Sequence, residues 1–349
     1  DQVRGARASR LRFARSGPRR VRKGVRRGLR QAPAPGFPPP RIRRRLGAPR
    51  AGDPPLPFPR LIRLPRPVAS ALLALALAFA ADAASAQSIR LLDSVKIRDE
   101  AAGFAEPSGL ALSADGSFLW SVSDNAREVF RLGFDGKLLP GPRPRLPWKD
   151  QAEGIAATPD GRALIVAREK GARLARIDLA TGAAETVRLA DLPGWAAIAP
   201  HFRDADNDGL EGVAVDPEDG RVWLLREAGP RLLIGLSPAL DRIETVRELD
   251  PSAGFEEAMG AAKDGDGRLD VSGLAIGATG FWIVSDRGER LFLLPRDGGP
   301  ARSWPLTRSA KGKPLKNAEG VAWAPARGRL HVVSDDKGDS RLVTYAAED

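Results

Sequence analysis

The chain has 349 residues, enough for one large domain or two ordinary ones, and no cysteine, which excludes disulfides, thiol catalysis and thiolate metal sites. Its formal net charge of +11 is unevenly distributed along the chain. Residues 1–87 hold 20 Lys or Arg and 3 Asp or Glu, whereas the remainder holds 35 Lys or Arg and 41 Asp or Glu. The basic charge therefore belongs to the N-terminal segment, and we do not expect nucleic-acid binding.

The N-terminal segment has the pattern of an extension followed by an export signal. Residues 1–59 are rich in Arg and Pro, which predicts a disordered or untranslated extension. Residues 60–86 contain a basic start, an apolar stretch at 68–81 and a small-residue cleavage site, which together predict a signal peptide. An uncleaved membrane anchor is the alternative. We expect a periplasmic or secreted domain over 87–349, with no membrane span after signal cleavage.

A short phrase recurs five times in this domain: a small or acidic residue, then Gly, an aliphatic residue and Ala. Successive glycines are 45, 58, 61 and 47 residues apart. An apolar run ending in a carboxylate follows each glycine, at an offset of 15 residues in four repeats and 13 in the other. Repeats of this length are typical of solenoids and propellers. The glycines are Gly109, Gly154, Gly212, Gly273 and Gly320, and the carboxylates are Asp124, Glu169, Glu227, Asp286 and Asp335.

Each repeat has the pattern of consecutive antiparallel strands, because short apolar runs alternate with turn signals such as Asp115-Gly116. The last repeat is one strand short, and a strand over 89–97 belongs to no repeat. A closed ring limits exposed strand edges. We therefore predict an all-β fold, a monomeric β-propeller of five four-stranded blades, closed by pairing 89–97 with 342–345. A six-bladed ring is the alternative.

This topology predicts one acidic face. The innermost strand of a blade begins, and its antiparallel neighbour ends, on the same face of a propeller, so Glu153, Glu211 and Glu319 should surround one mouth of the central channel. The five carboxylates at the ends of the second strands should lie just outside them. So many carboxylates repel one another and need cations or Arg partners. We expect either a structural network or a site for a divalent cation and a ligand, and the neighbouring basic residues are Arg168, Arg226 and Arg287.

Two acidic loops precede innermost strands and favour calcium. The first has the Asp-x-Asp-x-Asp-Gly start of a calcium loop, although Val215 stands where an EF-hand needs an acidic residue. The second is weaker, because Arg268 occupies a position where an oxygen ligand would be expected. The alternative for each is an acidic turn that binds nothing. The predicted ligands are Asp204, Asp206, Asp208 and Glu211 in the first loop, and Asp264, Asp266 and Asp270 in the second.

No catalytic set can be assigned from the sequence. A Gly-x-Ser-x-Gly motif is absent, and the only histidines are His201 and His331. His331 lies within a strand, where a packed histidine is expected, and His201 lies in a long loop. Trp195, in the same loop, is the better candidate for stacking on a ligand.

The motifs at 108–124, 153–169 and 272–286 resemble those of the SdiA-regulated propeller proteins and the related phytase-like propellers, named for the esterase-like activity of phytase. The resemblance covers about 98–345. It implies an exported β-propeller with calcium-binding loops, and its phytase-like branch implies hydrolysis of phosphoesters or carboxylesters. Three functions follow as hypotheses: a calcium-binding protein with a site for a small-molecule or anionic ligand, a calcium-dependent hydrolase, or a protein-interaction platform.

Overall fold

A computed structural model describes residues 89–97, 99–202, 209–227, 229–249 and 269–347. The predicted extension, the signal peptide and most of both acidic loops lie outside the described residues and stay predictions. In the described part of the chain, no helix is both long enough and apolar enough to cross a membrane.

The described residues form five antiparallel sheets, separated by turns and five short 3₁₀ helices. The strands are β1 (Arg90–Lys96), β2 (Pro107–Leu112), β3 (Leu119–Ser123), β4 (Phe130–Leu132), β5 (Ala152–Ala157), β6 (Ala163–Arg168), β7 (Arg173–Asp178), β8 (Ala184–Arg188), β9 (Leu210–Val215), β10 (Val222–Arg226), β11 (Leu232–Leu236), β12 (Ile243–Glu248), β13 (Gly273–Ile276), β14 (Gly280–Ser285), β15 (Arg290–Pro295), β16 (Arg302–Pro305), β17 (Ala318–Ala324), β18 (Arg329–Ser334) and β19 (Arg341–Ala346). The 3₁₀ helices are Glu100–Ala102, Leu189–Asp191, Trp195–Ala197, Ala199–Phe202 and Pro325–Arg327.

The sheets are the blades of a five-bladed propeller. Strand β2 contacts β5, β5 contacts β9, β9 contacts β13, β13 contacts β17, and β17 contacts β2, so the innermost strands form a closed ring. The prediction of five blades is confirmed, and the six-bladed alternative is wrong.

The first blade differs from the others in its outer edge. Its sheet has three strands, β2, β3 and β4. Segment 137–146 takes the fourth position through backbone hydrogen bonds to β4 and its flanks, including Leu139 N–H to the Arg131 carbonyl at 2.8 Å and Leu146 N–H to the Arg127 carbonyl at 2.9 Å. This segment is irregular because its three prolines have no N–H to donate.

The last blade is closed by the N-terminal strand, as the sequence predicts. Strand β1 pairs antiparallel with β19, from Arg90 opposite Ala346 to Lys96 opposite Arg341. Asp339 reinforces this junction through Lys96 at 3.1 Å, Arg341 at 2.9 Å and Arg308. Partial burial would raise the pKa of Asp339, but hydrogen bonds from the three basic side chains outweigh it and lower the pKa to about 2.

Tryptophans of the second strands pack between blades. Trp282 is fully buried, and its ring centroid lies 6.0 Å from that of Trp323 in the next blade. Trp223 makes an edge contact with Phe281 of the following blade at 5.0 Å. Large aromatic side chains of this kind fill the wedge between neighbouring sheets.

The glycine of each repeat lies where two innermost strands touch. A Cβ atom placed on any of Gly109, Gly154, Gly212, Gly273 or Gly320 would approach an atom of the adjacent blade to less than 3.0 Å. At Gly154 the atoms met are backbone atoms of the next innermost strand, the Glu211 carbonyl oxygen and the Val213 nitrogen, both at 2.7 Å. Close approach of the strands therefore requires glycine here.

Gly154→Ala should destabilise the protein by roughly 3 kcal/mol, because rigid backbone must move to admit the methyl group. The matched control is Gly299→Ala, where the added carbon would meet only the side chains of Asp297 and Pro295, no closer than 3.3 Å. The control should change stability by less than about 0.5 kcal/mol. Urea unfolding of both variants checks the prediction, and equal stabilities would contradict it.

Candidate functional site

A blind cavity opens at one mouth of the central channel, with a volume of about 350 Å³. Nine of its described lining residues are Asp or Glu. Below it, the aliphatic residues of the repeated phrase leave no room for water on the channel axis. We call this cavity the carboxylate cup. Its lining residues are Ser108, Asp124, Glu153, Glu169, Glu211, Glu227, Asp270, Ser272, Asp286, Arg287, Glu319 and Asp335.

An inner ring of side chains comes from the starts of the innermost strands. Glu153, Glu211 and Glu319 are the second residues of β5, β9 and β17, and serines occupy the same position of the phrase in the other two blades. Strand pairing shifts register beside all three glutamates. Such irregularities change the direction in which the neighbouring side chains point. Ser108 and Ser272 were not among the predicted site residues, although they share the position of the three glutamates in the repeated phrase.

An outer ring comes from the carboxylates that directly follow β3, β6, β10, β14 and β18. In four blades, the backbone N–H of this carboxylate donates to a carbonyl just before the innermost strand of its own blade, for example Asp335 N–H to the Asn317 carbonyl at 2.9 Å. The side chain of Asp124 also accepts a hydrogen bond from the backbone of Gln151 at 2.7 Å. These contacts fix the outer ring, which is Asp124, Glu169, Glu227, Asp286 and Asp335.

The inner glutamates are electrostatically unfavourable as anions. Burial, and then repulsion by neighbouring carboxylates, raises the pKa of Glu211 and Glu319 well above its usual range. The same two causes raise the pKa of Glu153 to about 8, and burial with repulsion from Asp270 raises that of Asp286 to about 6. Glu211 and Glu319 make no side-chain hydrogen bond or ion pair with any described residue. The inner glutamates therefore bind their protons more tightly than exposed glutamates do.

Only one of the three predicted arginines lines the cup. Arg287 lies 3.8 Å from Glu227 and 3.9 Å from Asp270, measured between guanidinium nitrogen and carboxylate oxygen. Arg168 instead pairs with Asp150 at 3.1 Å. Arg226 is 2% exposed and donates to the carbonyls of His201 and Pro230. The sequence placed these two arginines near the face, but their side chains turn away from the cup.

The predicted calcium ligands are only partly described. Glu211 and Asp270 line the cup, and Asp270 also accepts hydrogen bonds from the Ser285 hydroxyl at 2.6 Å and from the Arg287 backbone. Among the described residues, no group of three or more acidic or His side chains is arranged to hold a metal ion. The other predicted ligands lie outside the described residues, and they are Asp204, Asp206, Asp208, Asp264 and Asp266.

His331 and Trp195 have packing roles. His331 is buried against Phe134, with its Nδ1 3.0 Å from the Thr344 hydroxyl, and burial lowers its pKa to about 4. Trp195 packs on Phe202, with ring centroids 5.4 Å apart. Neither side chain is among those that line the cup.

Comparison with known proteins identifies the family. The family model described as SdiA-regulated matches residues 93–337. The chain belongs to the SdiA-regulated family. The resemblance of its motifs to this family is thereby confirmed.

Solved structures resembling this SdiA-regulated protein include glutaminyl cyclase from Myxococcus xanthus, at 14% identity and a TM-score of 0.50, covering 75% of this chain and 98% of the cyclase. Virginiamycin B lyase from Staphylococcus aureus matches at 13% identity and a TM-score of 0.38, covering 69% of this chain and 66% of the lyase. The likeness to the cyclase shows the fold alone. No curated protein matches significantly.

Without a divalent cation, stability should fall as pH rises from about 5 to about 9, by an amount on the order of a few kcal/mol. The folded pKa of Glu153, about 8, lies above the ordinary value of 4.5, so the folded state binds more protons. Its contribution to stability is complete below the ordinary pKa and is lost as pH rises through the folded one. Thermal unfolding in chelator tests this, and Glu153→Gln should flatten the profile. A melting temperature that rises over this range would contradict it.

Proposed function

We propose that the carboxylate cup binds a divalent cation, with calcium as the leading candidate, and that the protein is an exported, calcium-dependent binding protein. The observation that carries the proposal is the convergence of nine carboxylates on one 350 Å³ cavity, with Glu211 and Glu319 lacking any described partner. A cation offsets the burial and the repulsion that raise their pKa values. Calcium suits this donor set because it takes six to eight oxygen ligands in flexible geometry.

Cation binding at such a site is linked to proton release. A carboxylic acid must lose its proton before it can act as a carboxylate ligand. The raised pKa values of Glu153 and Asp286, about 8 and about 6, mean that cation affinity should increase with pH across this range. Export is supported by the predicted signal peptide, and calcium is abundant outside the cytoplasm.

A calcium-dependent hydrolase of phosphate or carboxylate esters is the second candidate. The raised pKa of Asp286, about 6, is the observation that favours it, because a carboxyl group tuned towards neutral pH can transfer protons in catalysis. A bound cation would supply an activated water and neutralise developing charge. A protein-interaction platform has less support, since Val246 is the only large hydrophobic side chain exposed among the described residues.

Calcium should stabilise the protein by about 2.7 kcal/mol when its free concentration is ~100 times the dissociation constant, which we expect between roughly 10⁻⁶ and 10⁻³ M. Glu211→Gln should remove most of this gain, because it replaces an inner-ring ligand by a weaker one. Glu185→Gln, the same change on the exposed outer strand β8, is the control. Melting temperatures with calcium and with chelator measure the gain. Equal calcium shifts in the two variants would place the ion outside the cup, and no shift in the wild type would overturn calcium binding.

Three further measurements test the proposal and its alternative. Calorimetry in buffers of different ionisation enthalpy should show proton release with calcium binding near neutral pH. Assays on phosphate and carboxylate esters, with calcium and with chelator, distinguish a binding protein from a hydrolase, because only the hydrolase shows calcium-dependent turnover. Asp206→Ala reports whether the first acidic loop also contributes ligands.

A further inference from the structure

Arg287 is the only basic residue among the described residues that line the carboxylate cup. Its backbone is firmly held, because its N–H donates to both carboxylate oxygens of Asp270 at 3.1 and 3.2 Å. Asp270 is itself anchored by the Ser285 hydroxyl at 2.6 Å, and its side chain is only 5% exposed. The start of the Arg287 side chain is therefore fixed at the cup by a buried carboxylate.

The guanidinium group of Arg287 is held much more loosely. The Arg287 side chain is 46% exposed, and the ion pairs of its guanidinium with Glu227 and Asp270, at 3.8 and 3.9 Å, are too long to be hydrogen bonds. Among the described residues the guanidinium makes no hydrogen bond. Elsewhere in the same propeller, Arg296 forms a direct ion pair with Asp216 at 2.5 Å. The N–H donors of Arg287 are therefore available to a ligand entering the cup.

We propose that Arg287 is the anion-binding residue of the cup, and that the ligand carries an oxyanion, either a carboxylate or a phosphate. This inference rests on the proposed function, because the bound cation would hold one side of the oxyanion while the guanidinium holds the other. The planar fork of an arginine matches two oxygens of a carboxylate or phosphate. A lysine in this position would supply only a point charge.

The same arrangement makes anion binding depend on the cation. The cup by itself repels an oxyanion, because nine acidic residues surround one arginine. A divalent cation offsets part of this negative charge and offers the oxyanion a positive centre to bind directly, beside the guanidinium of Arg287. Thermodynamic linkage then requires that the anion strengthen calcium binding by the same factor by which calcium strengthens anion binding.

The experiment uses the full chain, with phenyl phosphate and benzoate as probes and benzyl alcohol as the uncharged reference. Calorimetry measures each probe with calcium and with chelator. We expect the wild type to bind a charged probe only with calcium, and Arg287→Gln to bind it about tenfold to a hundredfold more weakly. Arg287→Lys should be intermediate. The matched control is Arg173→Gln, at the exposed start of β7 on the same face but outside the cup lining, which should leave binding unchanged.

The two charged probes separate a phosphate ligand from a carboxylate ligand. Calcium affinity itself should be retained or strengthened in Arg287→Gln, since a positive charge leaves the cup, while the coupling between calcium and the anion is lost. If calcium binds but neither charged probe does, or if Arg287→Gln keeps the coupling, the role of Arg287 is overturned and the cation site stands. If the wild type binds no calcium, the proposed function is overturned together with this inference.

Discussion

The contact of five innermost strands around one axis is the constraint on which the rest of the structure depends. The strands meet backbone against backbone at the five repeat glycines, where no side chain fits. This contact sets the radius of the ring, and the radius sets how closely Glu153, Glu211 and Glu319 approach one another. A wider ring would leave these glutamates hydrated and with ordinary pKa values. The raised pKa values of the inner glutamates are thus a consequence of how tightly the blades pack.

The cup brings nine acidic side chains into one cavity, where their mutual repulsion is unfavourable. Its floor is made of aliphatic side chains, so the inner glutamates cannot be solvated from below. Protonation, or the bound cation that we propose, would each reduce the repulsion, so we expect the occupancy of the cup to depend on both pH and divalent cations. The stability of the blades does not depend on the cup alone, because inter-blade packing and the β1–β19 pairing hold the ring together.

The position of Arg287 differs in kind from that of the other arginines on this face. Arg226 is buried and bonded to backbone carbonyls, and Arg168 is paired with a surface carboxylate. Both guanidinium groups make direct hydrogen bonds within the fold. Arg287 has a rigid backbone and loosely paired donors, which suits a residue that meets a ligand rather than one that supports a loop.

The sequence by itself determined the fold and the acidic face. The repeat spacing predicted the number of blades, and the unpaired strand predicted how the ring closes. The offset from each glycine to its carboxylate predicted that both rings lie at one mouth of the channel. These features could be predicted because they depend only on strand alternation and strand order. Only the tertiary structure decided which charged side chains share the cup. The directions of Arg168 and Arg226 depend on partners such as Asp150 and the carbonyl of His201, which lie 18 and 25 residues away along the chain. The raised pKa values likewise arise from burial and from carboxylates on other blades. No local sequence pattern encodes how close these carboxylates lie to one another in the folded chain.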